Sequence, residues 1–165
     1  MVVVASCGAI FGQETNNTAY FELLGNGGPA SLNYERHFRP NSAVRIGVSS
    51  WRLTESSLGS VNERTSVTAF PLMVNHFRGA GRHKLELGGG VLVGQLREQR
   101  LSDQLSESSI FVNATATVGY RYQKAQRGVI FRAGWTPFYG FGDSDETYVE
   151  GGFLNSIGFS VGYGF

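Results

Sequence analysis

The segment SIGFSVGYGF, residues 156–165, decides the fold of this chain. From Ile157 onward every second residue is large and apolar, and the residues between them are glycine or serine. An alternation with a period of two predicts a β-strand with one apolar face and one face of very small side chains. What the apolar face contacts therefore determines what kind of protein this is.

The composition is unusual for a soluble domain. Of the 165 residues 16% are charged and 23 are glycine, whereas a typical soluble domain is about 25% charged. No stretch reaches the ~18–20 consecutive apolar residues of a membrane-spanning helix, which excludes a helical membrane protein. A net charge of +1 provides no basic stripe for nucleic acid. Cys7 is the only cysteine, so a disulfide framework or thiolate metal site within the chain is excluded.

Eight alternating segments separated by turn residues follow from Thr18 onward. None has a 3.6-residue apolar stripe, and their valine, tyrosine, phenylalanine and threonine content is typical of strands. Because no helical pattern separates them, neighbouring strands are expected to pair antiparallel. The approximate bounds of the segments are 18–25, 30–38, 43–53, 65–77, 84–96, 109–122, 128–139 and 153–165.

The polar face of these segments is poor in lysine and rich in small side chains, which suits a confined lumen better than a water-exposed sheet. Its charges balance one for one, as expected where an unpaired ion is costly. Turned toward lipid, the three arginines of this face would cost about 2–4 kcal/mol each near the midplane. We therefore expect the apolar face to contact lipid and the following residues to form a charge network in the lumen: Glu22, Glu35, Arg45, Glu86, Arg121 and Arg132.

Pro71 interrupts the fourth segment, where it removes a ladder hydrogen bond. A bulge at this proline would exchange the faces of residues 69–73.

Aromatic residues and connections indicate the two ends of such a barrel. The connections at 54–64, 97–108 and 140–152 are long and polar, and they alternate with short ones; the exception is the tight hairpin NGGP at 26–29. In hydrocarbon a sheet cannot leave an edge unpaired, so the first and eighth strands are expected to pair. Aromatic girdles are predicted near the strand ends from Tyr34, Phe38, Trp51, Tyr120, Tyr122, Trp135, Phe138, Tyr139, Tyr163 and Phe165.

Residues 18–165 resemble the small eight-stranded bacterial outer-membrane barrels. They are similar to the transmembrane domain of outer membrane protein A and to the compact barrels of Bacteroidota-type bacteria. The resemblance is carried by YFELLGNGGPASLNYERHF (20–38), FPLMVNHF (70–77), HKLELGGGV (83–91), GYRY (119–122), FRAGWTPFYG (131–140) and GFSVGYGF (158–165).

This resemblance implies an all-β, eight-stranded, antiparallel up-and-down barrel in the bacterial outer membrane. It implies a monomer with both termini in the periplasm and the longer connections outside, in contact with membrane lipids and lipopolysaccharide. It also implies that the barrel assembly machinery reads a signal formed by Phe159, Val161, Tyr163 and Phe165.

Residues 1–13 resemble the end of a secretory signal peptide, because an apolar run is followed by small residues and then by a polar sequence. A short N-terminal strand is the alternative. The residues VASC at 4–7 also resemble a lipoprotein processing box, which would make Cys7 a lipid anchor. The barrel domain is then expected over residues 14–165.

Catalytic and metal-binding patterns are weak in this sequence. His37, His76 and His83 have no metal-ligand spacing, and no serine stands two residues from a histidine as in the lipid A deacylase barrels. We therefore expect no enzyme and no cofactor. One acidic group is open to two interpretations, a solvated loop or a site for calcium or another bridging cation: Asp143, Asp145, Glu146 and Glu150.

The expected role is structural anchoring in the membrane or recognition through the long connections, with the charge network closing the lumen. A gate for a narrow ion path is the alternative role of that network. Two other classes of function remain open. One is a soluble, lipocalin-like barrel that binds a hydrophobic small molecule, and the other is a lipid-modifying enzyme with a serine or histidine pair at the outer rim.

Overall fold

The computed structural model describes residues 16–57, 60–100, 105–124, 127–141 and 153–165. The described residues form ten strands, all paired antiparallel. Their bounds are β1 Asn17–Gly25, β2 Gly28–Arg39, β3 Ser42–Ser57, β4 Ser60–Arg78, β5 His83–Arg100, β6 Leu105–Gln123, β7 Gly128–Trp135, β8 Phe138–Gly140, β9 Phe153–Leu154 and β10 Ile157–Gly164.

In the described part of the chain no helix is long and apolar enough to cross a membrane.

The strands close into a barrel of eight strand paths. β7 and β8 form one path, because both pair with β6 in the same register, and β9 and β10 likewise form one path against β8 and β7. β1 pairs with β10, and β5 pairs with β6. Asn17 and Phe165 extend the β1–β10 seam with two backbone hydrogen bonds of 3.0 and 2.8 Å. The prediction of a closed eight-stranded antiparallel barrel is confirmed.

The alternation places the two faces as the sequence predicts. Phe21, Leu32, Ile46 and Phe159 are exposed on the outer surface, as are the other large apolar residues of that face. The charged and small polar residues of the opposite face are buried inside the barrel. The bulge considered at Pro71 is absent, because the register with β5 runs unbroken through this residue.

Two of the three connections predicted to be long loops are strands. β3 and β4 remain paired up to Ser57 opposite Ser60, and β5 and β6 up to Arg100 opposite Leu105. These residues carry no alternating apolar face and therefore resemble a loop in sequence, but the backbone hydrogen bonds of an antiparallel ladder do not require such a face. We call the end of the barrel at which these two strand pairs finish, at Ser57–Ser60 and Arg100–Leu105, the hairpin end. The third predicted loop, 140–152, lies largely outside the described residues.

The opposite end, which we call the turn end, carries the short connections at 40–41, 79–82 and 124–127 and the Asn17–Phe165 seam. Most of the predicted girdle aromatics lie on the outer surface, including Tyr34, Phe38, Trp135 and Tyr163.

Two aromatic residues predicted for the girdle point inward instead. Phe138 is buried in an apolar cluster with Val67, Ala69, Leu92 and Phe111, and Trp51 packs against that cluster together with Leu96. Their inward direction follows from the strand alternation, since Trp51 is two residues from the buried Ser49. The cluster lies toward the hairpin end, where the barrel interior is apolar rather than polar.

Candidate functional site in the barrel lumen

Six charged side chains meet inside the barrel, and they are the six that the sequence assigns to the lumen. Each is at most 7% exposed. They form three close pairs: Arg45 with Glu22, Arg121 with Glu35 at 2.7 Å, and Arg132 with Glu86, whose Nε–Oε2 distance is 2.8 Å.

Longer contacts join these pairs into one chain of charges. Arg132 Nη1 lies 3.6 Å from Glu22 Oε1, and Arg121 Nη1 lies 3.7 Å from Glu86 Oε2. This chain of charges ends at the turn end of the barrel, where His37 Nε2 lies 3.6 Å from Glu35 Oε1. Strand register alone would pair Glu35 with Arg45, its direct neighbour on β3. The close pairs instead join strands that are not neighbours. Two of them skip one intervening strand, and the third, Arg121–Glu35, crosses the barrel from β6 to β2.

Two inward aromatic rings, which the sequence analysis does not single out, support the arginines. The Tyr20 ring lies between Arg45 and Arg132, with its centroid 5.4 and 4.6 Å from the two guanidinium carbons. The Phe77 ring lies 4.6 Å from the guanidinium carbon of Arg121. Because guanidinium groups are attracted to aromatic faces, the rings fix the arginine planes. The signal for both was their strand position, in alternation with lipid-facing residues.

The β1–β2 turn closes the lumen from the side of the hairpin end. Asn26 in this turn is fully buried. Its Nδ2 donates to Thr115 Oγ1 at 2.7 Å and to the carbonyl oxygen of Ala116 at 2.8 Å. Its Oδ1 accepts from Thr117 Oγ1 at 2.7 Å and from Arg45 Nη1 at 3.1 Å. The turn thereby reaches across the barrel to β6 and caps the charge chain.

Replacing Asn26 with alanine is expected to lower the free energy of unfolding by about 3 kcal/mol. Four hydrogen bonds are lost, and each buried group that was bonded to Asn26 is left with one hydrogen-bond partner fewer. Urea titration in detergent micelles, followed by tryptophan fluorescence, measures the change. Asn41→Ala in an exposed turn is the matched control and should change the value by less than about 0.5 kcal/mol. Equal effects of the two substitutions would contradict the capping role.

Little space remains among these side chains. The cavity beside Glu22, Glu86 and Arg132 has a volume of about 10 Å³, which is about the space that one water molecule needs.

Of the three histidines, only His37 contacts the chain of charges in the lumen, and His76 and His83 lie apart from it. His83 Nδ1 is 2.5 Å from the hydroxyl of Tyr120 on the outer surface. His76 is hydrogen-bonded through Nδ1 to Ser42 Oγ at 3.2 Å, a serine–histidine pair that the sequence analysis missed because the two residues meet only through strand pairing. No carboxylate in the described part of the chain contacts His76.

The remaining sequence assignments fall in different places. Phe159, Val161, Tyr163 and Phe165 are exposed on the outer surface at the closing seam. Residues 1–13, which the sequence predicts to be the end of a signal peptide and which include Cys7, lie outside the described residues, as does the acidic group at 143–150.

Comparison with known proteins identifies the fold. No family model and no curated protein matches the chain. The barrel is similar to the N-terminal barrel domain of OprF from Pseudomonas aeruginosa, with a TM-score of 0.57, 12% identity and coverage of 93% of this chain and 100% of that one. It is also similar to Neisserial surface protein A, with a TM-score of 0.62, 9% identity and coverage of 90% and 93%.

A third similar structure is Ail, the attachment invasion locus protein of Yersinia pestis, in complex with the heparin analogue sucrose octasulfate. Its TM-score is 0.55 at 13% identity, covering 90% of this chain and 96% of that one. The chain thus has the fold of the small eight-stranded bacterial outer-membrane barrels, as the resemblance in its sequence predicts. With its apolar outer surface, this closed barrel is a protein of the bacterial outer membrane, in contact with lipid.

Proposed function

We propose that this chain is a monomeric outer-membrane barrel with a closed lumen, which anchors in the membrane and presents its hairpin end outside. The observation that carries this proposal is the unbroken chain of buried ion pairs from Arg45 to Glu35, capped by Asn26. An ion crossing the barrel would have to separate buried pairs, and breaking such a pair costs about 3–5 kcal/mol.

Recordings in planar bilayers test the closed lumen. We expect no steady conductance for the wild-type protein, and none for Arg132→Ala, because the Asn26 layer and the Arg121–Glu35 pair still block the path on either side. Heat-dependent gel mobility should first show that both proteins are folded. Steady wild-type conductance would contradict the closed lumen, and conductance that appears only in Arg132→Ala would indicate a gate.

A recognition role is favoured by the apolar packing beneath the hairpin end. The apolar cluster around Leu92 and Phe111 joins β4, β5, β6 and β8 inside the barrel below the hairpins, and a packed base of this kind lowers the entropic cost of binding a partner there. The complex of Ail with a heparin analogue provides a probe for this role. Adhesion of expressing bacteria to heparin-coated surfaces is expected to fall when residues 56–61 and 99–106 are replaced by two-residue turns, and unchanged adhesion would exclude sulfated sugars.

We further propose that the chain is not an enzyme and that the barrel assembly machinery recognises its outer seam. The serine–histidine pair at Ser42 and His76 lacks a carboxylate to orient the histidine among the described residues. The seam side chains Phe159, Val161 and Tyr163 form a continuous apolar row on β10, which an assembly factor can contact before the barrel closes.

A further inference from the structure

We propose that the turn end of the barrel is a binding site for a phosphate ester. A cavity of about 390 Å³ opens there, between the end of β2, the turn before β5 and the end of β6. This volume lies in the range of ordinary small-molecule sites. It is far larger than the space left among the ion pairs of the lumen.

The charge of this cavity is positive and is not compensated by its own lining. Arg36, Arg39, Lys84 and Lys124 line it, together with His37, and no aspartate or glutamate does. In the described part of the chain, Arg36, Arg39 and Lys124 form no ion pair with a carboxylate. The neighbouring Glu35 is buried and already paired with Arg121.

The contrast with the lumen makes this arrangement informative. Inside the barrel three arginines meet three glutamates, so the charges cancel. At the turn end, by contrast, Arg36, Arg39 and Lys124 have no such carboxylate partner among the described residues. Seven of the 14 lysines and arginines of the chain lie in the strand ends and turns of this end: Arg36, Arg39, Arg78, Arg82, Lys84, Lys124 and Arg127.

The lining residues fit a phosphate group in particular. Two arginines supply planar forks of N–H donors, which match phosphate oxygens in bidentate geometry. Lysines add point charges suited to a group that carries more than one negative charge. The guanidinium carbon of Arg39 lies 6.0 Å from the ring centroid of Phe38, a contact that holds this guanidinium at the rim of the cavity.

Two sources present this chemistry at the membrane surface: the headgroup of an anionic phospholipid in the adjacent leaflet and a soluble phosphate ester. Both place a phosphate among the same cations. Two experimental arms separate them.

The first arm is calorimetric titration of the folded full chain, in maltoside micelles, with sn-glycerol 1-phosphate and with uncharged glycerol as the reference. We expect the wild-type protein to bind sn-glycerol 1-phosphate and not to bind glycerol. In the variant Arg36→Gln/Arg39→Gln/Lys124→Gln the affinity for the phosphate ester should be at least tenfold weaker. The matched control Arg52→Gln/Arg64→Gln/Arg97→Gln removes the same charge at the hairpin end and should bind within twofold of wild type. Heat-dependent gel mobility verifies that both triple variants are folded.

The second arm is native mass spectrometry of the barrel released from nanodiscs that contain phosphatidylcholine and phosphatidylglycerol. Retention of phosphatidylglycerol over phosphatidylcholine, lost in the turn-end variant, would support the site with a lipid as its source. One cation near an anionic membrane contributes about fivefold in affinity, so the triple variant should lose about 100-fold. Binding in the first arm alone would support the site with a soluble ester as its source. Binding in neither arm, or an equal loss in the hairpin-end control, would overturn the proposal.

Discussion

Replacing Arg121 with methionine is expected to lower the free energy of unfolding by about 3–5 kcal/mol, because it leaves a buried carboxylate without its counter-ion. Arg121 is fully buried, and its Nη2 lies 2.7 Å from Oε1 of Glu35. Glu35 retains only the amide of Asn75 at 3.0 Å and the more distant His37. Methionine keeps an unbranched side chain but reaches only about as far as the Nε of arginine, so the loss combines the missing charge with the missing contact between the guanidinium and Phe77. Urea unfolding in micelles measures it.

Two further variants make this prediction specific. Arg52→Met removes an exposed arginine from β3 and should change the free energy of unfolding by less than about 0.5 kcal/mol. Glu35→Gln in the Arg121→Met background removes the stranded charge and should recover a large part of the loss. A loss below about 1 kcal/mol for Arg121→Met alone would show that water solvates Glu35, and the closed lumen would be wrong.

Replacing Gly162 with valine is expected to prevent closure of the barrel seam or to destabilise it by about 3 kcal/mol or more, at the upper end for an overpacked site. Gly162 on β10 lies opposite Tyr20 on β1. A Cβ atom at this position would come within 2.2 Å of the Tyr20 Cβ and 2.3 Å of the carbonyl oxygen of Ala19. The second contact is with backbone of the partner strand, so a rotamer change cannot relieve it.

Gly89→Val is the matched control for this seam prediction. A Cβ atom on Gly89 has nothing within 4 Å, and the residue is exposed on β5. This variant should refold with the same yield as the wild type, measured as the fraction that migrates as the compact species on an unboiled gel. Equal refolding yields for both valine variants would contradict this prediction, because they would show that β1 and β10 can move apart without a loss of folding yield.

The outward face and the lumen were predictable because a strand has a period of two. Once Phe159 is assigned to lipid, Ser160 must face the lumen, and the same reasoning assigns Glu22, Arg45 and Arg132. Equal numbers of inward acids and bases then predict a network of ion pairs. The pairing itself was not predictable, since Glu35 lies beside Arg45 in the ladder and yet binds Arg121 across the barrel.

Other features could not be predicted from the sequence because they depend on contacts between distant segments. The sequence NGGP identifies Asn26 only as a turn residue. Its side chain, however, contacts Thr115 on β6, which is 89 residues away in the sequence. Ser42 and His76 are joined only by the β3–β4 register. The segments 54–64 and 97–108 resemble loops because they lack an apolar alternation, which the backbone pairing of strands does not require.

The sequence by itself determined that this chain forms a membrane barrel, which residues contact lipid and which charges are enclosed. Those properties follow from side-chain alternation and from the cost of placing charge or unpaired backbone in hydrocarbon, both of which are local. Only the tertiary structure decided which glutamate binds which arginine, how the Asn26 turn caps the lumen and where Arg36, Arg39 and Lys124 come together. These depend on the curvature of a closed sheet, which brings together strands that are neither neighbours in sequence nor partners in the ladder.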